Sequence, residues 1–105
     1  MNLPEWLVLW VCQSLIGEIY PEIRAIVLGY DDDKNLIIRY YLDREPTEDD
    51  FESLECVVTN IFAHTSSDDQ ICGVTEEAIF SLDRLGDLDV LDGLVYARKE
   101  FFSED

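Results

Sequence analysis

The chain has 105 residues, of which 48% are hydrophobic, so it is long enough for one domain with one core and too short for two. We therefore expect a single domain over residues 1–105. Its 24 acidic and 7 basic residues give a formal net charge of -17 at pH 7, which opposes contact with nucleic acid and with anionic membranes. The aromatic and branched aliphatic content excludes a disordered chain.

The cysteines predict neither a disulfide framework nor a zinc site, because Cys12, Cys56 and Cys72 are odd in number and lack a Cys-x-x-Cys spacing. They are typical of small core residues in a reduced, cytoplasmic protein. The apolar residues 3–11 include Glu5 and follow no basic residues, so they do not predict a secretory signal. They are also fewer than the roughly 20 residues that cross a bilayer.

The first predicted element is a helix that begins near Asn2, a candidate N-cap, with Pro4 in its first turn. Two neighbouring rows of apolar side chains recur at helical spacing, which predicts a helix buried on most of its circumference against a sheet. The rows are Leu7, Val11, Leu15 and Val8, Cys12, Ile16. Trp6 and Trp10 lie one turn apart, either at the edge of the core or as an aromatic anchor for a partner.

A β-hairpin is predicted next. Residues 23–29 and 36–42 are apolar runs of strand type, and the polar residues 31–35 connect them. The short connection predicts that the two strands pair antiparallel. One face of the second strand carries Leu36, Ile38, Tyr40 and Leu42, and the other carries Ile37, Arg39 and Tyr41.

A second, amphipathic helix is predicted from about Glu48 to Ala63. Pro46 and Thr47 suit a helix entry, and Asp50 completes an approximate capping box with Thr47. The predicted inner face comprises Phe51, Leu54, Val58, Ile61 and Phe62. The opposite face is an acidic ridge of Glu48, Asp49, Glu52, Glu55 and Thr59. No lysines balance these acids at i+4, and like charges destabilise a helix by a few tenths of a kcal/mol per pair, so the ridge indicates a purpose other than helix stability.

The last third of the chain predicts one or two further strands. Residues 71–81 are of strand type, and an acidic connection over residues 82–91 follows them. Residues 93–98 have strand composition, although residues 91–101 also fit a helix. The predicted fold class is therefore α+β, with the order α-β-β-α-β-β. We expect an antiparallel sheet of three to four strands with two main helices packed on it.

No arrangement of side chains predicts catalysis or a metal site. The single histidine, His64, has no serine or cysteine placed to use it as a base. Residues 31–35 begin like a calcium loop, but Leu36 replaces its glycine and Leu42 replaces its closing glutamate. Residues 87–92 also lack a closing bidentate acid. We therefore predict a protein that is not an enzyme and needs no cofactor or metal.

The carboxylates themselves are the candidate binding surface. They form three clusters, over residues 31–33, 43–55 and 83–92. Such clusters either keep the protein in solution or face a strongly basic protein. On the second interpretation, the predicted partner-binding residues are Asp31, Asp32, Asp33, Asp43, Glu48, Asp49, Glu52 and Glu55.

Three segments resemble small immunity proteins of bacterial toxin systems, those of contact-dependent growth inhibition and of colicin-like toxins. The segments are residues 19–26 (IYPEIRAI), 36–51 (LIIRYYLDREPTEDDF) and 91–98 (LDGLVYAR). The resemblance implies a cytoplasmic inhibitor that binds the toxin domain of a kin-delivered effector, often a nuclease, and occupies or flanks its active site. It carries no catalytic or binding residue over to this chain.

Two other functions compete with this hypothesis. The chain could be an acidic adaptor or structural subunit, acting through homo- or hetero-oligomerisation with Trp6 or Tyr41 as exposed aromatic anchors. It could also be a small enzyme, but its polar residues do not converge on any arrangement that supports one. The sequence leaves open whether the free chain is a monomer or a dimer.

Overall fold

A computed structural model describes residues 3–64 and 71–99 and confirms an α+β fold. The elements in chain order are α1 (Glu5–Ser14), β1 (Ile23–Tyr30), β2 (Asn35–Leu42), α2 (Glu48–His64), β3 (Gly73–Phe80), a 3-10 turn (Leu85–Asp87) and β4 (Gly93–Ala97). This is the predicted order of helices and strands. The final apolar run, which fitted either a strand or a helix, is the strand β4.

The four strands form one mixed sheet in the order β3-β2-β1-β4. The pair β1–β2 is the predicted antiparallel hairpin, and β4 lies antiparallel to β1 on its other side. The prediction of a wholly antiparallel sheet is wrong, because β3 pairs with β2 in parallel. The parallel pairing is caused by the helix between the two strands. Because α2 carries the chain back to the level where β2 begins, β3 runs in the same direction as β2.

Both helices pack on one face of the sheet and enclose the main core. The face of β2 that carries Leu36, Ile38, Tyr40 and Leu42 is entirely buried there. Tyr40 also shares a hydrogen bond with Ser53 of α2, with 3.1 Å between the oxygens. Burial raises the pKa of Tyr40 to about 12, so its hydroxyl keeps its proton at neutral pH.

The buried face of α2 is rotated from the predicted one. Leu54, Val57 and Ile61 are fully buried, whereas Phe51 and Phe62 are 42% and 39% exposed. A buried acid causes the difference. Asp50 lies in the interior at the start of α2, so the inner face follows the spacing i, i+4, i+7, i+11 from Asp50.

The helix α1 is less buried than predicted. Leu7 and Val11 are in the core, but Cys12 is exposed and Ile16 is 79% exposed. Of the predicted second row, Cys12 and Ile16 therefore face solvent, and Ile16 lies beyond the end of α1, whereas Val8 packs partly against the core. The prediction that the cysteines are core residues is also wrong, because all three are exposed.

The connection between β3 and β4 packs on the other face of the sheet. Leu88 is buried there against Ala25, Val27 and Tyr41, in a second and smaller apolar cluster. The Tyr41 hydroxyl donates a hydrogen bond to the Asp89 carbonyl oxygen at 2.6 Å. Tyr41 is only 4% exposed, so the prediction of an exposed aromatic anchor at this residue is wrong.

Candidate functional site

A buried ion pair fixes the start of α2. The guanidinium of Arg44 donates to both carboxylate oxygens of Asp50, with nitrogen–oxygen distances of 2.7 and 3.1 Å. The hydroxyl group of Tyr20 also donates a hydrogen bond to this carboxylate. The carboxylate is fully buried, while the Arg44 side chain is 37% exposed, so the positive partner remains partly in water.

The predicted capping box is part of this network. The backbone N–H of Thr47 donates to Asp50 Oδ2 at 2.7 Å, which satisfies one of the unpaired donors at the helix start. Burial by itself would raise the pKa of Asp50, but hydrogen bonds from Arg44, Tyr20 and Thr47 outweigh it and lower that pKa to about 2. Asp50 is therefore a structural anion, whose charge is paired within the fold.

An open groove runs between residues 17–22 and the outer face of α2. It consists of two connected hollows of about 420 and 630 Å³ that share Glu18. We call it the acidic groove, and its charged and polar lining comprises Glu18, Glu22, Arg44, Asp49, Asp50, Glu52, Ser53, Glu55, Thr59 and Asn60. Among the residues that the structure describes, Arg44 is the only basic one in this lining, and Asp50 already neutralises it. The groove therefore presents a net negative surface.

The structure brings part of the predicted site together here. Asp49, Glu52 and Glu55 line the acidic groove, and Glu48 lies exposed in the first turn of α2. Sequence reasoning missed Glu18 and Glu22. Both lie in the turn after α1, about 30 residues before α2, and no local pattern links the two segments.

The remaining predicted residues lie elsewhere. Asp31, Asp32 and Asp33 are exposed at the tip of the β1–β2 hairpin. They are separated from Asp43 by the eight residues of β2, which span about 25 Å at a strand's rise per residue. Asp43 itself forms an ion pair with Arg98 at 2.7 Å. The hairpin tip therefore does not extend the acidic groove.

The third acidic cluster lies on the sheet face opposite the helices, and two of its acids have structural partners. Asp92 Oδ2 accepts the backbone N–H of Tyr30 at 2.8 Å, which ties the connection to β1. Asp89 Oδ1 accepts a hydrogen bond from the backbone N–H of Leu91 at 2.9 Å. Leu91 has a positive φ of 53°. These two carboxylates hold the connection in place.

The described part of the chain offers no metal centre. Within residues 3–64 and 71–99, no three His, Cys, Asp or Glu side chains come together as a set of ligands. None of the helices in those ranges has the length and apolarity to span a bilayer.

The aromatic residue Trp6 is half-buried, because its ring packs against Trp10 at 4.8 Å and against Tyr30 at 5.9 Å between centroids. It belongs to the edge of the main core. The interpretation of this pair as core edge therefore fits better than a free anchor.

Comparison with known families defines the class. A small α+β domain with an acidic groove suits a protein that binds another protein, and the family model described as MafI2 immunity protein matches residues 4–100. The chain is therefore an immunity protein of a bacterial toxin system, as the sequence resemblance predicted. It belongs to the MafI2 immunity protein family, which implies a cognate toxin protein as its partner. No curated protein matches the chain.

Replacing Asp50 by asparagine should lower the free energy of unfolding at pH 7 by about 2 to 4 kcal/mol, because Arg44 then loses its buried countercharge. Urea unfolding followed by tryptophan fluorescence measures this loss. Asp49→Asn is the matched control, since Asp49 is an exposed neighbour. It should change the free energy by less than about 0.5 kcal/mol. Equal effects of the two substitutions would contradict the role of Asp50.

The contribution of Asp50 should also depend on pH. Its pKa is about 2 in the folded chain and 3.8 ordinarily, so the folded state binds this proton less readily than the unfolded state. The stabilisation is complete above about pH 4 and disappears as the pH falls towards 2, a change of about 2 kcal/mol. The difference in unfolding free energy between the unsubstituted chain and Asp50→Asn should shrink over that window. A difference that stays constant from pH 5 to pH 2 would contradict the pKa assignment.

Proposed function

We propose that this immunity protein acts in the cytoplasm and neutralises a basic nuclease toxin through the carboxylates of the acidic groove and of the α2 ridge. One observation carries the proposal: Glu48, Asp49, Glu52 and Glu55 are all exposed on α2, which contains no lysine or arginine. A nuclease must present cationic groups to bind a polyanion. The carboxylates of α2 would occupy the positions that phosphates take in the nuclease cleft.

The energetics of α2 support a binding role for the ridge. Its first-turn acids stabilise the helix through the dipole, but Glu52 and Glu55 lie beyond that turn. These two acids repel each other, and Glu55 also repels Glu76 of the neighbouring strand β3. Burial raises the pKa of Glu76, and the negative charge of Glu55 raises it further. Acids that serve solubility alone need not be placed where they repel one another.

The proposed mechanism has two stages. A net charge of -17 attracts a cationic toxin over long distances and speeds the first encounter. At contact, the groove pairs its carboxylates with basic side chains that would otherwise hold the substrate. The toxin is then inhibited because its substrate site is either filled or flanked by a surface of the same charge as nucleic acid.

Reversing the charges of Glu52 and Glu55 to lysine should slow association with the cognate toxin domain about tenfold or more at low salt, because electrostatic steering is lost. The loss should shrink as the salt concentration rises. Stopped-flow or surface-plasmon measurements at several salt concentrations give these rates. The fold should remain intact, since both residues are exposed.

The matched control reverses Asp83 and Asp87, two exposed acids in the connection between β3 and β4. It raises the net charge by the same amount as the helix double variant. Association should slow much less than with Glu52 and Glu55 reversed, because only the general field weakens. Equal slowing in both double variants would show that net charge alone matters, and unchanged rates in the helix variant would remove α2 from the interface.

A further inference from the structure

The helix α1 and the turn after it carry exposed apolar side chains in addition to those that enter the core. Leu7 and Val11 point into the core and are fully buried. Beside them, Val8, Leu9 and Cys12 lie on the part of α1 that borders solvent, and Ile16 lies in the turn that follows the helix. We call these four residues the outer stripe.

The outer stripe is well exposed. Leu9 is 55% exposed and Ile16 is 79% exposed, while Val8 is half-buried. A shallow groove of about 540 Å³ runs along its first half, lined by Leu3, Glu5, Val8, Leu9 and Cys12. Exposed apolar side chains beside a groove are typical of a protein–protein contact, whereas isolated exposed apolar residues need no explanation.

The charges around the outer stripe are of one sign. Glu5 lines the groove at its beginning, and the chain contains no lysine or arginine before Arg24. Among the described residues, the groove beside the stripe is lined by no basic side chain. The surface is thus an apolar strip with an acidic rim.

We propose that the outer stripe docks an apolar patch rimmed by lysine and arginine on the partner protein, and that this partner is the toxin. The assignment to the toxin rests on the function proposed above. The argument is charge complementarity: a basic rim pairs with Glu5, while the apolar patch fills the groove beside Leu9. Desolvated apolar contacts at the centre of an interface commonly supply most of its affinity.

A second copy of the chain fits this surface poorly. A symmetric contact would place the acidic rim of one copy against the acidic rim of the other. Each copy also carries a net charge of -17, so the approach itself is opposed. The free chain should therefore be a monomer in which the outer stripe is uncovered.

The outer stripe and the acidic groove would then have separate roles. Carboxylates on α2 set the rate of association and its dependence on salt, because their field acts over a distance. Apolar contacts at the stripe act only after docking, so they set the rate of dissociation. This division gives each surface its own kinetic signature.

The test is the double variant Leu9→Gln, Ile16→Gln, with surface-plasmon kinetics against the cognate toxin domain. Dissociation should accelerate about tenfold or more at both low and high salt, with little change in association. The control is Leu82→Gln, which alters a leucine that is 79% exposed, as Ile16 is, but lies in the connection after β3. It should change the dissociation rate less than twofold. Circular dichroism checks that α1 is retained.

Each outcome separates this inference from the proposed function. Unchanged dissociation in the Leu9, Ile16 variant overturns the role of the outer stripe, even if charge reversal at Glu52 and Glu55 slows association as proposed. Faster dissociation without any effect of that charge reversal supports the stripe and contradicts the electrostatic mechanism. Light scattering of the free chain is the second readout. If the unsubstituted chain is a dimer and the Leu9, Ile16 variant is a monomer, a second copy covers the stripe and the proposal is overturned.

Discussion

The ion pair between Asp50 and Arg44 determines how the rest of the helical layer is arranged. A fully buried carboxylate requires several donors, and Asp50 receives them from Arg44, Tyr20 and the backbone of Thr47. Three separate segments are thereby joined at one point. The start of α2 cannot shift or rotate without leaving this charge unpaired, which costs several kcal/mol.

The rotation fixed by Asp50 places the outer carboxylates as well as the core. With Asp50 inward, Leu54 and Ile61 fall on the buried side of α2, and Glu52 and Glu55 fall on the exposed side. The turn that supplies Tyr20 also supplies Glu18, so the contact that anchors the helix brings a further carboxylate to the groove. One interaction thus supports both stability and the proposed binding surface.

Much of the fold could be predicted because its causes are local. The alternation in β2, the short hairpin connection and the helical period of α2 are all present in neighbouring residues. The parallel pairing of β3 could not be predicted, because it depends on where α2 returns the chain. The burial of Tyr41 was missed for a similar reason, since the segment that covers it lies about 45 residues further along and looked like an acidic linker. Hydrophobic pattern alone also overestimated the burial of α1.

The composition of the acidic groove could be anticipated only in part. The acids of α2 were recognisable because no basic residue balances them, but their neighbours Glu18 and Glu22 depend on the contact between Tyr20 and Asp50, which are 30 residues apart. Residues 31–33 and 83–92 resemble the α2 ridge in sequence, because their carboxylates are also clustered. Only the structure distinguishes them, because it places them at the far end of the sheet and on its opposite face.

Carboxyl labelling read by mass spectrometry tests the central claim most directly, since it reports on each acid of the free chain and of its complex with the cognate toxin domain. The account predicts that Glu52 and Glu55 become protected in the complex, while Asp32 and Asp33 at the hairpin tip and Asp83 on the opposite face stay as reactive as in the free chain. Protection of the hairpin tip or of Asp83, with Glu52 and Glu55 still reactive, would contradict it.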